Sequence, residues 1–375
     1  MINTGRVNLA NIRRGAYSVF NWIPYHAHFF TPYPVGSFII NISRECEMRC
    51  MMCNIWQNRK TEYAGKSLDA ETLSAMLNNS AFLKKMPYVV MTGGEPFLRK
   101  DFGEILKSVL LVPHIRKVTI GTSGFLTRKI VSDVNACLEA TDRAKKIALQ
   151  ISLQGVGEVQ DRIKGRADAF SRLKKTINEL KALSMKYPGR LTLYIYSVLQ
   201  EQNKDTFEKT YEFSREQGIG YTFGIINNLS YNMNSSEQYT KELINEGDFK
   251  RLSDLYPFYG VLKNWARKGF TQQSTGLRCF AGYSSFFLDF DGSVYPCLHT
   301  SSLKSFRMGN VFEESFDGIW KKAKKARALT KTCAIDECLQ GCDRSVVKLQ
   351  YYVPEMVCRA ATLNRYSLLK ARGIL

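Results

Sequence analysis

The chain has 375 residues, 45% of them hydrophobic and 23% charged, which is typical of a globular protein and excludes wholesale disorder. No apolar run reaches the roughly 18–20 residues that span a bilayer, and the N-terminus lacks the apolar core of a secretory signal, so we expect a cytoplasmic protein without a transmembrane helix. The formal net charge of +19 favours an anionic partner, although a dispersed basic surface would also aid solubility.

Residues 1–36 combine aromatic residues with prolines and predict an N-terminal arm with a short helix. Its amphipathic stretch over residues 12–23 leaves weak membrane-surface association open as an alternative. From residue 37, short β-rich runs alternate with amphipathic helices. Strands are predicted over residues 37–43, 88–92, 118–123, 147–152, 191–199 and 221–226. Helices are predicted over residues 67–77, 101–111, 128–140, 167–184 and 205–217, with Ser67 as the N-cap of the first.

This alternation indicates an α/β fold with a parallel sheet and right-handed crossovers. Six units are fewer than the eight of a closed barrel, so residues 37–226 predict a partial (β/α)6 TIM-like barrel. Functional residues should lie where the strands end. The remaining predicted regions are a connector (227–278), a smaller C-terminal α+β cysteine-rich iron–sulfur module (279–358) and a C-terminal helix (359–375).

Nine of the ten cysteines fall into two groups, which in a cytosolic protein indicates metal binding rather than disulfides. Cys137 stands alone in a predicted helix and is interpreted as a buried apolar residue. The first group, Cys46, Cys50 and Cys53, has C-x3-C-x2-C spacing directly after the first strand. A structural zinc normally takes four protein ligands, whereas a [4Fe–4S] cluster held by three cysteines keeps one iron free to chelate a cofactor.

Short motifs follow the next three strands: Thr-Gly-Gly-Glu-Pro at 92–96, Gly-Thr-Ser-Gly at 121–124 and Ser-Leu-Gln-Gly at 152–155. Together with the cysteine triplet, they resemble the radical S-adenosylmethionine (SAM) superfamily. The match is to its GGEP, T-N-G and S-L-D-G segments. Ser123 stands where asparagine is common, and Gln154 stands in the usual aspartate position.

The resemblance implies that the open iron binds the amino and carboxylate groups of SAM. An electron from a reductant such as flavodoxin or ferredoxin then yields a 5′-deoxyadenosyl radical, which abstracts a substrate hydrogen. The backbone and the acid of the GGEP motif would bind the SAM amino group. The SAM-binding candidates are Gly93, Gly94, Glu95, Pro96, Ser123, Ser152, Gln154 and Ser197.

The second cysteine group begins with a hairpin signal, because FFLDFDGSVYPC predicts two short strands around an Asp-Gly turn that delivers Cys297. This region resembles the SPASM extension of radical SAM enzymes, which implies auxiliary iron–sulfur clusters. By that resemblance, Cys279, Cys297 and Cys342 would serve one cluster and Cys333, Cys338 and Cys358 a second. Each set would lack one cysteine, so one four-cysteine cluster and a zinc-stapled module remain alternatives.

Other side chains are weaker candidates. His299, close to Cys297, is a candidate catalytic residue, a cluster ligand or a hydrogen-bonded structural histidine. His26 and His28 are interpreted as packing residues. Tyr231, Tyr283 and Asp289 are candidates to line a cavity. The basic stretch at 321–327 is interpreted as a solvated face, because no clear nucleic-acid motif accompanies it.

We therefore expect a radical SAM enzyme that oxidises, epimerises or forms a bond on a small, sugar-like or anionic metabolite. Leu298 follows Cys297 where sulfatase-maturing relatives carry aspartate, and only 36 residues precede the first strand, too few for a leader-binding domain. A peptide- or protein-modifying enzyme is the alternative. A non-catalytic, metal-stapled protein that binds nucleic acid is an alternative of another class.

Overall fold

The computed structural model describes residues 37–57, 65–226, 281–283 and 285–330. The strands are β1 (Ser37–Asn41), β2 (Tyr88–Thr92), β3 (Lys117–Thr122), β4 (Lys146–Ser152), β5 (Leu191–Leu199), β6 (Gly220–Ile225), β7 (Phe286–Leu288), β8 (Ser293–Tyr295) and β9 (Gly309–Asn310). The helices are α1 (Ala70–Asn79), α2 (Phe102–Leu111), α3 (Thr127–Glu139), α4 (Glu158–Lys164), α5 (Ala169–Lys186), α6 (Glu208–Glu216), α7 (Phe316–Lys322) and α8 (Lys324–Leu329).

The nine strands of the described residues belong to one sheet in the order β6-β5-β4-β3-β2-β1-β7-β8-β9. Strands β1 to β6 are parallel, as the sequence pattern predicted, and within the described residues the sheet is open, with β6 and β9 at its two edges. The predicted partial barrel is therefore confirmed. Because parallel strands carry their following loops at one edge, the loops after β1 to β5 meet at the carboxyl edge of the sheet.

Local signals placed most elements within two or three residues of their observed bounds, but the first helix begins later than predicted. Its N-cap is Asp69, whose carboxylate accepts a 2.8 Å hydrogen bond from Thr72 N. Ser67 was predicted as this cap, which is wrong. The Ser67 hydroxyl instead accepts from Arg99 Nη2 at 2.9 Å, so a residue distant in sequence takes the group that would have capped the helix.

The predicted hairpin around Asp291 and Gly292 is present, and Gly292 has the positive φ of 80° that its turn requires. Its first strand, β7, pairs in parallel with β1, with Phe38 opposite Phe286. The hairpin therefore extends the barrel sheet beyond β1. Helix α7 covers this junction, where the Phe316 ring packs edge-on against both Phe38 and Phe286.

Several predicted features lie outside the described residues: the N-terminal arm, the connector and the C-terminal helix, together with His26, His28 and Tyr231. Of the six cysteines in the second group, the structure describes Cys297. It also describes Cys137, which is buried in α3, as expected for a packing residue. Burial raises the pKa of this thiol to about 12.

Candidate functional site

The chain leaves β1 into a loop, residues 42–54, that carries the first cysteine group; we call it the cysteine loop. Cys46, Cys50 and Cys53 are free, partly buried thiols within it. The loop has almost no regular secondary structure of its own, so hydrogen bonds from its neighbours must fix its shape. Neighbouring segments supply these bonds, among them the GGEP motif after β2, Ser123 after β3, the end of α4 and the β7–β8 hairpin.

The GGEP motif binds the cysteine loop through its backbone. Gly94 N donates to Ser43 O at 2.8 Å, and Glu95 N donates to Glu45 O at 2.7 Å. A Cβ atom on Gly94 would lie 1.9 Å from Glu45 O, and one on Gly93 would lie 2.4 Å from Ser43 O. These glycines are therefore required for the close approach of two protein segments, a constraint separate from the approach to a ligand that the motif suggested.

The Glu95 carboxylate is 1% exposed and ties the end of β2 to the end of β3. Both of its oxygens lie 3.0 Å from Thr122 Oγ1, which can donate to either, and Oε2 accepts from Ser123 N at 2.7 Å. Burial, followed by the charge of Glu47, raises the pKa of Glu95 to about 7, although hydrogen bonds from Ser123 and Phe97 oppose the shift. Its acid group is thus supplied with donors by the protein itself.

Glu47, between Cys46 and Met48, was not singled out from the sequence. Its Oε1 accepts a 2.6 Å hydrogen bond from Ser123 Oγ. Its Oε2 is buried and has no hydrogen-bond partner among the described residues. A buried carboxylate oxygen without a donor is costly, so this position favours a ligand with N–H groups or positive charge. The only sequence signal was an acid between two clustered cysteines.

Helix α4 and the residue after it hold a second part of the cysteine loop. Arg49 N donates to Lys164 O and Met51 N donates to Ile163 O, both at 2.9 Å. The contact needs Gly165, which has a φ of 66°, because a Cβ there would lie 2.8 Å from Arg49 O. The Arg49 side chain also donates to Cys46 O at 3.0 Å, which reinforces the turn between the first two cysteines.

Burial also favours the protonated form of the Cys46 and Cys53 thiols. It raises the pKa of Cys46, and the nearby charges of Glu47 and Glu95 raise it further. Burial raises the pKa of Cys53 to about 11. Metal binding would have to displace these protons, which makes it pH-dependent. In the described part of the chain, no group of three or more His, Cys, Asp or Glu residues is arranged around a single metal ion. Three thiolates fit a cluster, where each binds a different iron.

The candidate SAM-binding residues at the end of β4 and in β5 differ in their exposure to solvent. Ser152 is partly exposed at the end of β4. Gln154 is 2% exposed, and its Oε1 accepts from Val198 N at 2.7 Å. Asn203 Nδ2 donates to Gln154 O at 2.7 Å, so Gln154 links the ends of β4 and β5. Ser197 is fully buried beside the Tyr221 phenol.

On the hairpin side, Cys297 is buried and its thiol donates to Thr300 Oγ1 at 3.7 Å. His299 is 4% exposed, and its Nδ1 has no hydrogen-bond partner among the described residues. Burial lowers the pKa of His299 to about 4, so its ring is neutral near pH 7. Tyr283, a candidate cavity residue, lies beside the Arg327 guanidinium, with 5.5 Å between its ring centroid and Arg327 Cζ.

Two family models match the chain. One describes the radical SAM superfamily and matches residues 40–214; the other describes the SPASM iron–sulfur cluster-binding domain and matches residues 279–343. The PqqA peptide cyclase of Granulibacter bethesdensis is 24% identical over 83% of this chain and 80% of its own. The AdoMet-dependent heme synthase of Methanosarcina barkeri is 23% identical over 76% and 81%. The pre-heme d1 synthase of Dinoroseobacter shibae is 22% identical, over 50% of this chain and only 42% of its own.

Solved structures show the same fold. SuiB of Streptococcus suis bound to S-adenosylmethionine superimposes with a TM-score of 0.59 at 16% identity, covering 83% of this chain and 71% of its own. Native anSMEcpe with bound AdoMet gives a TM-score of 0.57 at 17% identity, covering 87% and 99%. Within the described residues, no helix is long and apolar enough to cross a membrane. The chain belongs to the radical SAM superfamily and carries a SPASM domain, and it is therefore an enzyme whose cofactors are a [4Fe–4S] cluster, SAM and auxiliary iron–sulfur clusters.

Proposed function

We propose that Cys46, Cys50 and Cys53 hold the SAM-binding [4Fe–4S] cluster and that the enzyme abstracts a hydrogen atom from its substrate. One observation carries the proposal: three thiols lie in one loop whose backbone is hydrogen-bonded to the GGEP motif. When bound, the cluster and SAM supply a 5′-deoxyadenosyl radical after one-electron reduction. A small electron-carrier protein such as flavodoxin or ferredoxin is the proposed electron donor.

The chain's own residues position these groups and exclude water. Backbone bonds from Gly94 and Glu95 fix the cysteine loop, and partial burial keeps the thiols away from bulk solvent. The thiol protons leave when metal binds, because thiolate is the ligand form. The carboxylate of Glu95 stays with its protein donors and holds the ends of β2 and β3 together.

For SAM itself, we propose contacts from the edge of this loop. Glu47 Oε2, which has no hydrogen-bond donor among the described residues, would accept an N–H group of the SAM amino group. The backbone around Gly93 and Pro96, together with the partly exposed Ser123 and Ser152, would complete the site. Gln154 and Ser197 would support it from within, because both side chains are buried between β4, β5 and β6.

The test is release of 5′-deoxyadenosine from SAM by the anaerobically reconstituted, reduced protein. We expect the wild type to release it and the triple variant Cys46→Ala, Cys50→Ala, Cys53→Ala to release none. Cys137→Ala is the matched control, because this buried thiol lies in α3, outside the cysteine loop. A wild type that binds iron but leaves SAM intact under reduction would contradict the proposal.

We propose that the second cysteine group, Cys279, Cys297, Cys333, Cys338, Cys342 and Cys358, binds one or two auxiliary clusters within residues 279–358, with the barrel at 37–226 and a connector between them. The SPASM match over residues 279–343 supports this region. Iron and sulfide per chain, measured in the triple variant of the cysteine loop, counts the auxiliary clusters directly. A variant that retains no iron contradicts this proposal.

For the substrate, we propose a small anionic metabolite. The formal charge of +19 favours anions, and the lysines at 321, 322, 324 and 325 are exposed. Relatives are named as an AdoMet-dependent heme synthase, a pre-heme d1 synthase and an Fe-coproporphyrin III synthase, whose names point to porphyrins, compounds that bear carboxylates. The assay is substrate-dependent transfer of deuterium into 5′-deoxyadenosine, with carboxylated porphyrins and acidic sugars in the panel.

A peptide or protein substrate is the second candidate. A relative matched over most of both chains is named PqqA peptide cyclase, and a structural neighbour is SuiB bound to its precursor peptide SuiA, with a TM-score of 0.56. The same deuterium assay separates the candidates when labelled peptides are added to the panel. Label transfer from a peptide and from none of the anionic metabolites would overturn our first candidate.

A further inference from the structure

We infer that Asp289, at the end of β7, is a positioning residue of the SAM-cluster site and acts through Arg44 and Asn41. The inference rests on the function proposed above for the cysteine loop. It makes the hairpin that leads to Cys297 a structural part of the site at which SAM binds.

Asp289 lies directly beyond the register in which β7 pairs with β1, since Leu288 is opposite Ile40. Its carboxylate is 5% exposed. Asn41 Nδ2 donates to Oδ1 at 2.6 Å, and Arg44 Nη2 donates to Oδ2 at 3.1 Å. One buried carboxylate thus joins the end of β1 to the start of the cysteine loop, across 245 to 248 residues of sequence.

Arg44 has a second contact with the same hairpin, because its guanidinium carbon lies 4.6 Å from the centre of the Phe290 ring. It lies between Ser43 and Glu45, whose carbonyls accept the Gly94 and Glu95 amides. It also precedes Cys46 by two residues. The Arg44 side chain therefore anchors the short segment that connects the GGEP motif to the first cluster cysteine.

Asn41 connects Asp289 to the GGEP motif. The Asn41 side chain is 1% exposed, and a Cβ on Gly93 would lie 2.8 Å from its Oδ1. Asn41 therefore packs directly against the first glycine of the motif. A displacement of Asp289 would be transmitted to both the motif and the cysteine loop, because buried polar networks of this kind have few alternative arrangements.

The ion pair between Asp289 and Arg44 also affects the charge near the cluster. The Asp289–Arg44 pair places an anion beside a cation near Cys46, and the Arg44 side chain is only 19% exposed. Without the carboxylate, a partly buried positive charge would remain near the cluster. Nearby positive charge stabilises the reduced, more negative cluster, so its reduction potential would rise. Partners that orient metal ligands typically change metal affinity or activity by about 10- to 100-fold when replaced.

The test compares Asp289→Asn with Asp291→Asn in the full, reconstituted chain. Asp291 is the matched control: it loses the same charge two residues along the same hairpin, and its carboxylate accepts from Ser293 N within the turn. Two quantities are measured by electron paramagnetic resonance: the affinity for SAM, from the SAM-dependent change in the spectrum of the reduced cluster, and the midpoint potential of that cluster. Neither depends on turnover.

We expect Asp289→Asn to bind SAM about 10- to 100-fold more weakly and to have a higher potential, with Asp291→Asn equal to wild type. Adding Arg44→Gln to Asp289→Asn should return the potential toward wild type, because the unpaired charge is gone. If Asp289→Asn does not fold, Arg44→Lys keeps the charge but loses the fit to Asp289 and Phe290 and should also weaken SAM binding. Asp289→Asn or Arg44→Lys matching wild type in SAM affinity would overturn the inference. Failure of the proposed function would differ: the wild type itself would show no SAM-dependent spectrum.

Discussion

Gly94→Ala is the substitution for which the structure gives the sharpest expectation. The added methyl group would lie 1.9 Å from Glu45 O and 2.5 Å from Glu45 C. Ordinary van der Waals contact begins at 3.4 Å, so the GGEP motif and the cysteine loop would have to separate by the 1.5 Å difference. At that separation, the hydrogen bonds from Gly94 N and Glu95 N to the loop, now 2.8 and 2.7 Å, are both lost.

Each buried group left without a partner costs about 1–3 kcal/mol. Gly94→Ala should lower the free energy of unfolding by this cost for every group that it leaves unpaired, and it should disorganise the cysteine loop. Gly121→Ala is the matched control at the end of the next strand, because its Cβ would meet nothing closer than 3.8 Å. The assay is urea unfolding of the metal-free protein, followed by iron per chain after anaerobic reconstitution. Equal urea midpoints and equal iron per chain for the two variants would contradict the expected clash at Gly94.

Glu47→Gln should weaken SAM binding by about 1.5–3 kcal/mol, which is what a hydrogen bond to a charged group contributes. Glu45→Gln, in the same loop, should leave the affinity unchanged. Equal affinities of the two variants, measured by calorimetry, would contradict the role assigned to Glu47 Oε2. Gln154→Leu should destabilise the chain by about 1–3 kcal/mol, because Val198 N loses its buried acceptor, and a urea midpoint equal to wild type would count against this. The hydrogen bonds and charge of Arg99 lower the pKa of Asp101 below its usual 3.8. Its stabilising contribution is therefore present above that pH and is lost as the pH falls through the lower folded-state value. Asp101→Asn should be less stable than wild type at neutral pH, and the difference should vanish in strong acid; a difference independent of pH would argue against the ion pair.

Much of the barrel could be predicted from the sequence, because each parallel strand is buried and reads as a short apolar run. β2 and β5 have the predicted bounds, 88–92 and 191–199. The short helix α4 was missed, since its seven residues fall in the polar stretch between β4 and α5. The first helix was started too early because Ser67 and Asp69 are both good caps in sequence, and only the contact with Arg99 removes Ser67 from the choice.

The candidate site was predictable in its chemistry and less so in its contacts. The spacing of Cys46, Cys50 and Cys53 and the order of motifs after the strands are local properties, so they identified the family. The partners of polar side chains are not local. Gln154 was a candidate SAM contact, and the structure adds that its side-chain oxygen accepts from Val198 N while its backbone carbonyl accepts from Asn203. Asp289 was singled out as a candidate cavity residue, and nothing local indicates that its carboxylate binds Asn41 and Arg44.

By itself, the sequence determined the alternation of strands and helices, the cysteine spacing and the glycines of the GGEP motif, because each depends on residues close together in the chain. Only the tertiary structure decided what those glycines contact, which acid keeps an open oxygen, and that β7 extends the sheet beside β1. The physical reason is common to all three. Close approach, burial and hydrogen-bond pairing depend on segments up to about 250 residues apart, and no local pattern specifies which of several polar side chains will meet.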